Sequence, residues 1–253
     1  MNLGLQYYLA SNHKHGLRFC VMMEQAQLNT RESATNWFAG VAGFMTRREY
    51  QTVAGERPLM YLIAAEPDSE AWGARQPREA LDQLRAAVRT AGKAEPYVVI
   101  LNWRTRRAGE LREISNADAI SAYSFQRDGR DAPYAHLASE TEHFWEECRD
   151  TGSAVVPIVM TGWDRRPRVE RPVFWESWQR PHAGIEKFYH APTAEELEQH
   201  LRRAVAWVLA HPDAAPGKAI LIYAWNENDE GGWLVPTLEE GEWRVRAVGR
   251  ALH

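Results

Sequence analysis

The sequence predicts an α/β protein built on a parallel sheet. Short apolar runs bounded by turn residues recur along its 253 residues, amphipathic helical patterns lie between them, and the two kinds of segment alternate. Strands covered on both faces read as continuous apolar runs, so the clearest of them, "AILIYAW" at 219–225, fits a core strand of such a sheet.

Taken in order, "MNLGLQYYLASNHKHGLRFCVMME" reads as the tail of a helix running into a strand at 18–24. Further strands are predicted at 59–64, 97–102, 119–124, 155–160 and 219–225, which makes six. Helices are predicted over 31–45, 77–91, 134–150, 194–210 and 238–252. In the second, Pro77 suits the first turn and Gly92 the C-terminal cap. The third aligns Leu137, Thr141, Phe144, Trp145 and Cys148 on one stripe. In the fourth, Thr193 and Glu196 form a capping box ahead of a stripe of Leu197, Leu201, Ala204, Val205, Val208 and Leu209. No repeat, low-complexity tract or Pro/Gly linker divides the chain, so residues 1–253 are read as a single domain.

Composition narrows the function. A net charge of −4 gives no basic footprint and argues against nucleic acid as a partner. No apolar run is long enough to span a membrane, and the opening residues lack the pattern of a signal peptide, so the chain as it stands reads as soluble. Cys20 and Cys148 lack metal-ligand spacing and read as small core residues of a reducing compartment, with a disulfide between them left open. No glycine-rich phosphate loop follows a strand, no G-x-S-x-G elbow occurs, and the histidines show no H-E-x-x-H. No cofactor and no metal is expected.

Parallel α/β proteins bind ligands at the carboxyl ends of their strands, and the polar chemistry of this sequence collects there. Glu24 ends the first strand, and Glu66, Asp68 and Trp72 follow the second. Asn102 and Trp103 follow the third, Tyr123 ends the fourth, and a long excursion from Gly162 follows the fifth. Seven of the eleven tryptophans (Trp72, Trp103, Trp163, Trp175, Trp178, Trp225 and Trp233) lie in these segments, which suits an aromatic-lined cleft for sugars. The last strand runs into Trp225, Asn226, Glu227, Asn228, Asp229 and Glu230. Glycosidic cleavage needs two carboxyl groups of different protonation state, and repulsion with partial burial raises the pKa of one of such a pair. Glu227 and Glu230 are the candidates. A solvated acidic turn is the plainer reading, and "NENDEG" also matches the first half of a calcium loop, although Thr237 stands where its last ligand belongs.

Four segments, in order, resemble the WbsX-type, glycoside hydrolase family 99-like proteins: "RFCVMMEQ" (18–25), "GERPLMYLI" (55–63), "GWDRRPR" (162–168) and "WNENDEGGWLVPT" (225–237). The resemblance implies a (β/α)8 barrel that hydrolyses a polysaccharide or O-antigen-like glycan, with relatives that are endo-acting and retaining on α-mannosidic bonds. It implies Glu227 as base on the sugar 2-hydroxyl and Glu230 as general acid/base. Glu24, Tyr123, Asp164 and Arg168 fall at positions of substrate contact, and Asn102, Trp103, Trp163, Trp225, Asn226 and Trp233 complete the expected cleft. Asn228 and Asp229 depart from the family pattern, which bears on substrate. The segments correspond to the third through eighth βα units, so an incomplete barrel of about six strands is expected, with open edges available for self-association. A carbohydrate-binding or scaffold protein without turnover, and a glycosyltransferase-type role, are the alternatives.

Overall fold

The computed structural model describes residues 3–29, 34–64, 77–127, 129–176 and 179–253. Its parallel strands are β1 (Val21–Glu24), β3 (Arg57–Ile63), β4 (Tyr97–Leu101), β5 (Ala119–Ser121), β6 (Ala154–Val155), β7 (Ile158–Met160) and β8 (Leu221–Tyr223). Hydrogen bonding runs β1-β3-β4-β5-β6, and β7 pairs with β8, all in parallel. Pro157, which cannot donate to a ladder, separates β6 from β7, so the predicted strand 155–160 pairs with β5 through its first half and with β8 through its second. A short β2 (Thr52–Val53) adds antiparallel to β3. Each predicted strand thus has its counterpart, and among the described residues the architecture is a (β/α)-barrel type sheet of seven parallel strands, six if β6 and β7 are taken as the one predicted strand.

The two faces of the sheet follow the alternation of side chains along a strand. Leu59, Tyr61, Tyr97, Val99, Leu101, Ala119 and Val156 form the inner cluster. Met60, Leu62, Val98, Ile100 and Ile120 face outward into a second cluster shared with the helices. β4 is buried at all five positions because both of its faces are covered. At the amino ends of the strands, Arg57 pairs with Asp118 at 2.6 Å, and Asp118 also accepts from the Val98 N–H.

The outer layer comprises α2 (Ala34–Met45), α3 (Pro77–Thr90), α4 (Thr105–Ser115), α5 (Tyr134–Asp150), α7 (Ala194–Ala210) and α8 (Trp243–Leu252), with α1 (Leu3–Ala10) ahead of β1 and the short α6 (Arg166–Glu170) at the rim. The capping box of α7 forms in both directions, Thr193 with Glu196. Its buried stripe is Leu197, His200, Leu201, Ala204, Trp207 and Val208, while Leu209 is exposed. The stripe is rotated from the expected one because His200 and Trp207 pack on Trp145 of α5. α8 starts at Trp243 rather than 238, since a turn closed between Thr237 and Gly241 precedes it. Cys20 and Cys148 are free thiols. Among the described residues no helix is long and apolar enough to cross a membrane. Glu66, Asp68, Trp72 and Trp178 lie outside the described residues.

Candidate active site

The last strand ends at Tyr223, and a small hairpin begins three residues on. β9 (Asn226–Glu227) pairs antiparallel with β10 (Gly232–Trp233), and a 3-10 turn, Asn228–Glu230, joins them. This turn brings Glu227 and Glu230 to the carboxyl rim. Gly231 turns the chain back at φ +76°, and a Cβ there would lie 2.3 Å from the Asp164 nitrogen. A Cβ on Gly162 would lie 2.1 Å from the Gly231 oxygen. Only glycine fits either place. The Asp164 N–H donates to the Glu230 carbonyl at 2.7 Å, which ties the hairpin to the excursion after β7.

That contact delivers Arg168, on α6, into the middle of the acids. Its Nη2 donates to Glu227 at 3.1 Å, its Nη1 to Glu230 at 2.5 Å and to Glu176 at 3.3 Å, and its Nε to Asp229 at 2.8 Å. Arg165 pairs with Glu230 at 3.3 Å and with Glu176. Tyr123 donates its hydroxyl to Glu227 at 2.8 Å, and Tyr223 donates to Glu230. Burial and the neighbouring carboxylates push both phenols far above their ordinary range, so they remain neutral donors.

Glu230 is 7% exposed, and burial raises its pKa although Tyr223, Arg168 and Arg165 pull the other way. The hydrogen bond from Arg168 holds Asp229 below the ordinary carboxylate range. The pair is therefore asymmetric: Glu230 is the buried acid, and Glu227 lies nearer the solvent.

Both acids line a cleft of about 930 Å³. Glu24, Trp103, Tyr123, Trp163 and Arg168 line it with them, which brings together seven of the residues singled out from sequence. Five others lie off its wall. Asn102 is buried, its amide donating to the Ala64 carbonyl at 2.8 Å and its oxygen accepting from the Arg104 N–H, so it stitches strand ends together. Asp164 turns to Arg166, accepting from its Nη2 at 2.6 Å and from its backbone N–H at the start of α6. Trp233 lies beneath the Arg244 guanidinium at 3.9 Å, and its hairpin partner Asn226 is exposed. Trp225 carries an exposed ring outside the cleft, while its carbonyl accepts from the N–H groups of Leu234 and Val235. In the loop that resembles a calcium site, Arg168 supplies the positive charge among the carboxylates.

Arg165, Glu176 and Asp229 also line the cleft without having been assigned a part in it from sequence, and Trp175, named there only as one of the seven tryptophans of the post-strand segments, lines it too. Asp229 is flanked by acids in the sequence, and Trp175 and Glu176 sit in the aromatic stretch of the excursion, but no periodicity there says which side chain turns inward.

No family model matches the sequence, and no curated protein matches it. Among solved structures, the chain is similar to the GH99 endo-alpha-mannosidase from Bacteriodes thetaiotaomicron in complex with bis-tris-propane. The identity is 14% and the TM-score 0.54, over 98% of this chain and 73% of that one. At this identity the likeness is one of fold.

Proposed function

We propose that the protein hydrolyses glycosidic bonds of a polysaccharide or O-antigen-like glycan, with Glu230 as general acid/base and Glu227 as the partner carboxylate. The observation that carries this reading is the meeting of the two acids in one aromatic-walled cleft, where burial favours the protonated form of Glu230. Glu230 protonates the leaving oxygen. Glu227, oriented by Tyr123 and Arg168, takes the proton of the sugar 2-hydroxyl, whose oxygen closes on C1 as the glycosidic C1–O bond breaks, giving the 1,2-anhydro sugar that the family resemblance implies. The ionised Glu230 left behind is stabilised by Arg168, Arg165 and Tyr223; water then attacks C1 and gives its proton to Glu230, while the C1–O2 bond opens and Glu227 returns its proton to O2. The resemblance to WbsX-type, family 99-like proteins, together with the likeness in fold to an endo-alpha-mannosidase, supports α-mannosidic linkages as the first to test.

Glu230→Gln is expected to abolish the release of reducing ends from an α-mannan panel, a loss of about 10³-fold, while glycan binding persists. Unchanged turnover rejects the assignment. A second reading, a glycan-binding protein without turnover, is favoured by one observation: both oxygens of Glu230 are already engaged by Arg168, Arg165 and Tyr223. Wild-type binding with no reducing ends released selects it.

A further inference from the structure

The cleft wall contains an aromatic feature apart from the acid pair. Trp175 is 61% exposed, and Phe174, set edge-on against it at 4.8 Å, is 90% exposed. Leaving two successive rings in water forgoes the burial that normally holds aromatic side chains in place. Trp163, on the same wall, does pack inward, with its ring 5.9 Å from that of Tyr223. Trp175 is nevertheless held in position. The next residue, Glu176, is clasped by Arg168 at 3.3 Å and by Arg165, the two guanidiniums that also hold Glu230. One set of ion pairs therefore anchors both the residue next to the open indole and the buried acid.

We propose that Trp175 is a stacking platform for an uncharged pyranose of a glycan chain whose scissile bond lies at Glu227 and Glu230. The inference rests on the hydrolytic reading above for the location of that bond. The indole face suits the C–H face of a sugar ring. The charge of the lining sets the class of sugar. Among the described residues the cleft presents five carboxylates, those of Glu24, Glu176, Glu227, Asp229 and Glu230, against the two guanidiniums, which are engaged with carboxylates. A uronate or a sulfate ester at the platform meets a field of its own sign, whereas a neutral hexose does not. The platform serves a sugar ring other than the one cleaved, so only chains long enough to reach it gain from it.

The test uses the full-length protein and a ladder of neutral α-manno-oligosaccharides from the disaccharide upward, with a matching set oxidised at C6 to uronates. Trp175→Ala is expected to raise KM about tenfold for the longer neutral members and much less for the disaccharide, with KM affected more than kcat, as loss of one ring contact implies. Trp175→Phe should keep most of the affinity. The melting temperature should stay put, and the wild type should bind the uronate set at least tenfold more weakly than the neutral one. Equal loss at every chain length, no loss at any length, or equal binding of the two sets overturns the platform. Calorimetric titration of the same ladder separates this result from the hydrolytic reading. Length-dependent binding lost in Trp175→Ala, without wild-type turnover, keeps the platform and rejects hydrolysis; wild-type turnover with no effect of Trp175→Ala does the reverse.

Discussion

The seam between α5 and α7 and the cleft at the strand ends are built from the same residue types, tryptophan, glutamate and arginine, and serve opposite ends. In the seam Trp145 stacks on His200 at 5.6 Å, Glu142 accepts from His200 and Arg203, and Glu146 accepts from Trp207 and pairs with Arg149. Acids and bases balance there, and Trp145 and Trp207 are only 2% and 8% exposed. In the cleft the acids outnumber the guanidiniums, and Trp103 and Trp175 are 51% and 61% exposed. The accompanying hollows are about 230 Å³ and 930 Å³. Aromatic rings beside charges are therefore not enough to mark a site; open ring faces and surplus acid are what distinguish one.

The strongest way to break this contrast is to remove the guanidinium at the centre of the cleft. Arg168→Gln leaves Glu230 and Glu176 with fewer partners and is expected to cost about 3 kcal/mol of stability, measured by urea unfolding. Arg168 lowers the pKa of Glu230, so its loss raises that pKa further. In the role proposed for it Glu230 works while protonated, so activity should fall as pH rises through its pKa. The alkaline limb of residual kcat/KM should therefore move to higher pH in the variant; a downward move contradicts the assignment of the acid.

A smaller effect is expected at the seam. Burial lowers the pKa of His200, whose neutral ring donates its Nδ1–H to Glu142. Burial would raise Glu142, but its hydrogen bonds from His200 and Arg203 bring it below the ordinary range. Both groups bind protons less readily in the folded chain than in the unfolded one. Their stabilisation is complete at neutral pH and is lost on acidification, first below the ordinary histidine value of 6.5 and then through the folded pKa of Glu142. His200→Gln should cost about 1 kcal/mol at neutral pH and flatten the fall of melting temperature between neutral and mildly acid buffers. Turnover should be unaffected. Least of all, Arg203→Ala, which breaks an exposed contact, is expected to change stability by about 0.5 kcal/mol in thermal melts.

The strands were the most legible part of the sequence, because segments buried on both faces leave unbroken apolar runs. α4 was not, since its buried residues, Ala108, Gly109, Leu111 and Ser115, include one large apolar side chain, too thin a stripe to read among arginines. α6 has five residues and β9 and β10 two each, shorter than any period can reveal. Within the site, the acid pair could be read from its place after the last core strand. Trp233 and Asn226 could not be separated from it, because only the hairpin register shows that these two face one another while Glu227 lies opposite Gly232. Glu176 and Arg165 depend on how a long excursion folds back, and nothing local in the sequence encodes that.

The contact between Gly162 and Gly231 restricts how this rim can be remodelled. A side chain introduced at either glycine, by a hairpin grafted onto the end of β8 or a change at the exit of β7, runs into the backbone facing it, so a library for altered substrate choice should hold both glycines constant. Diversity belongs instead at Phe174 and Trp175, where large side chains already stand in water and replacements displace no packed neighbour.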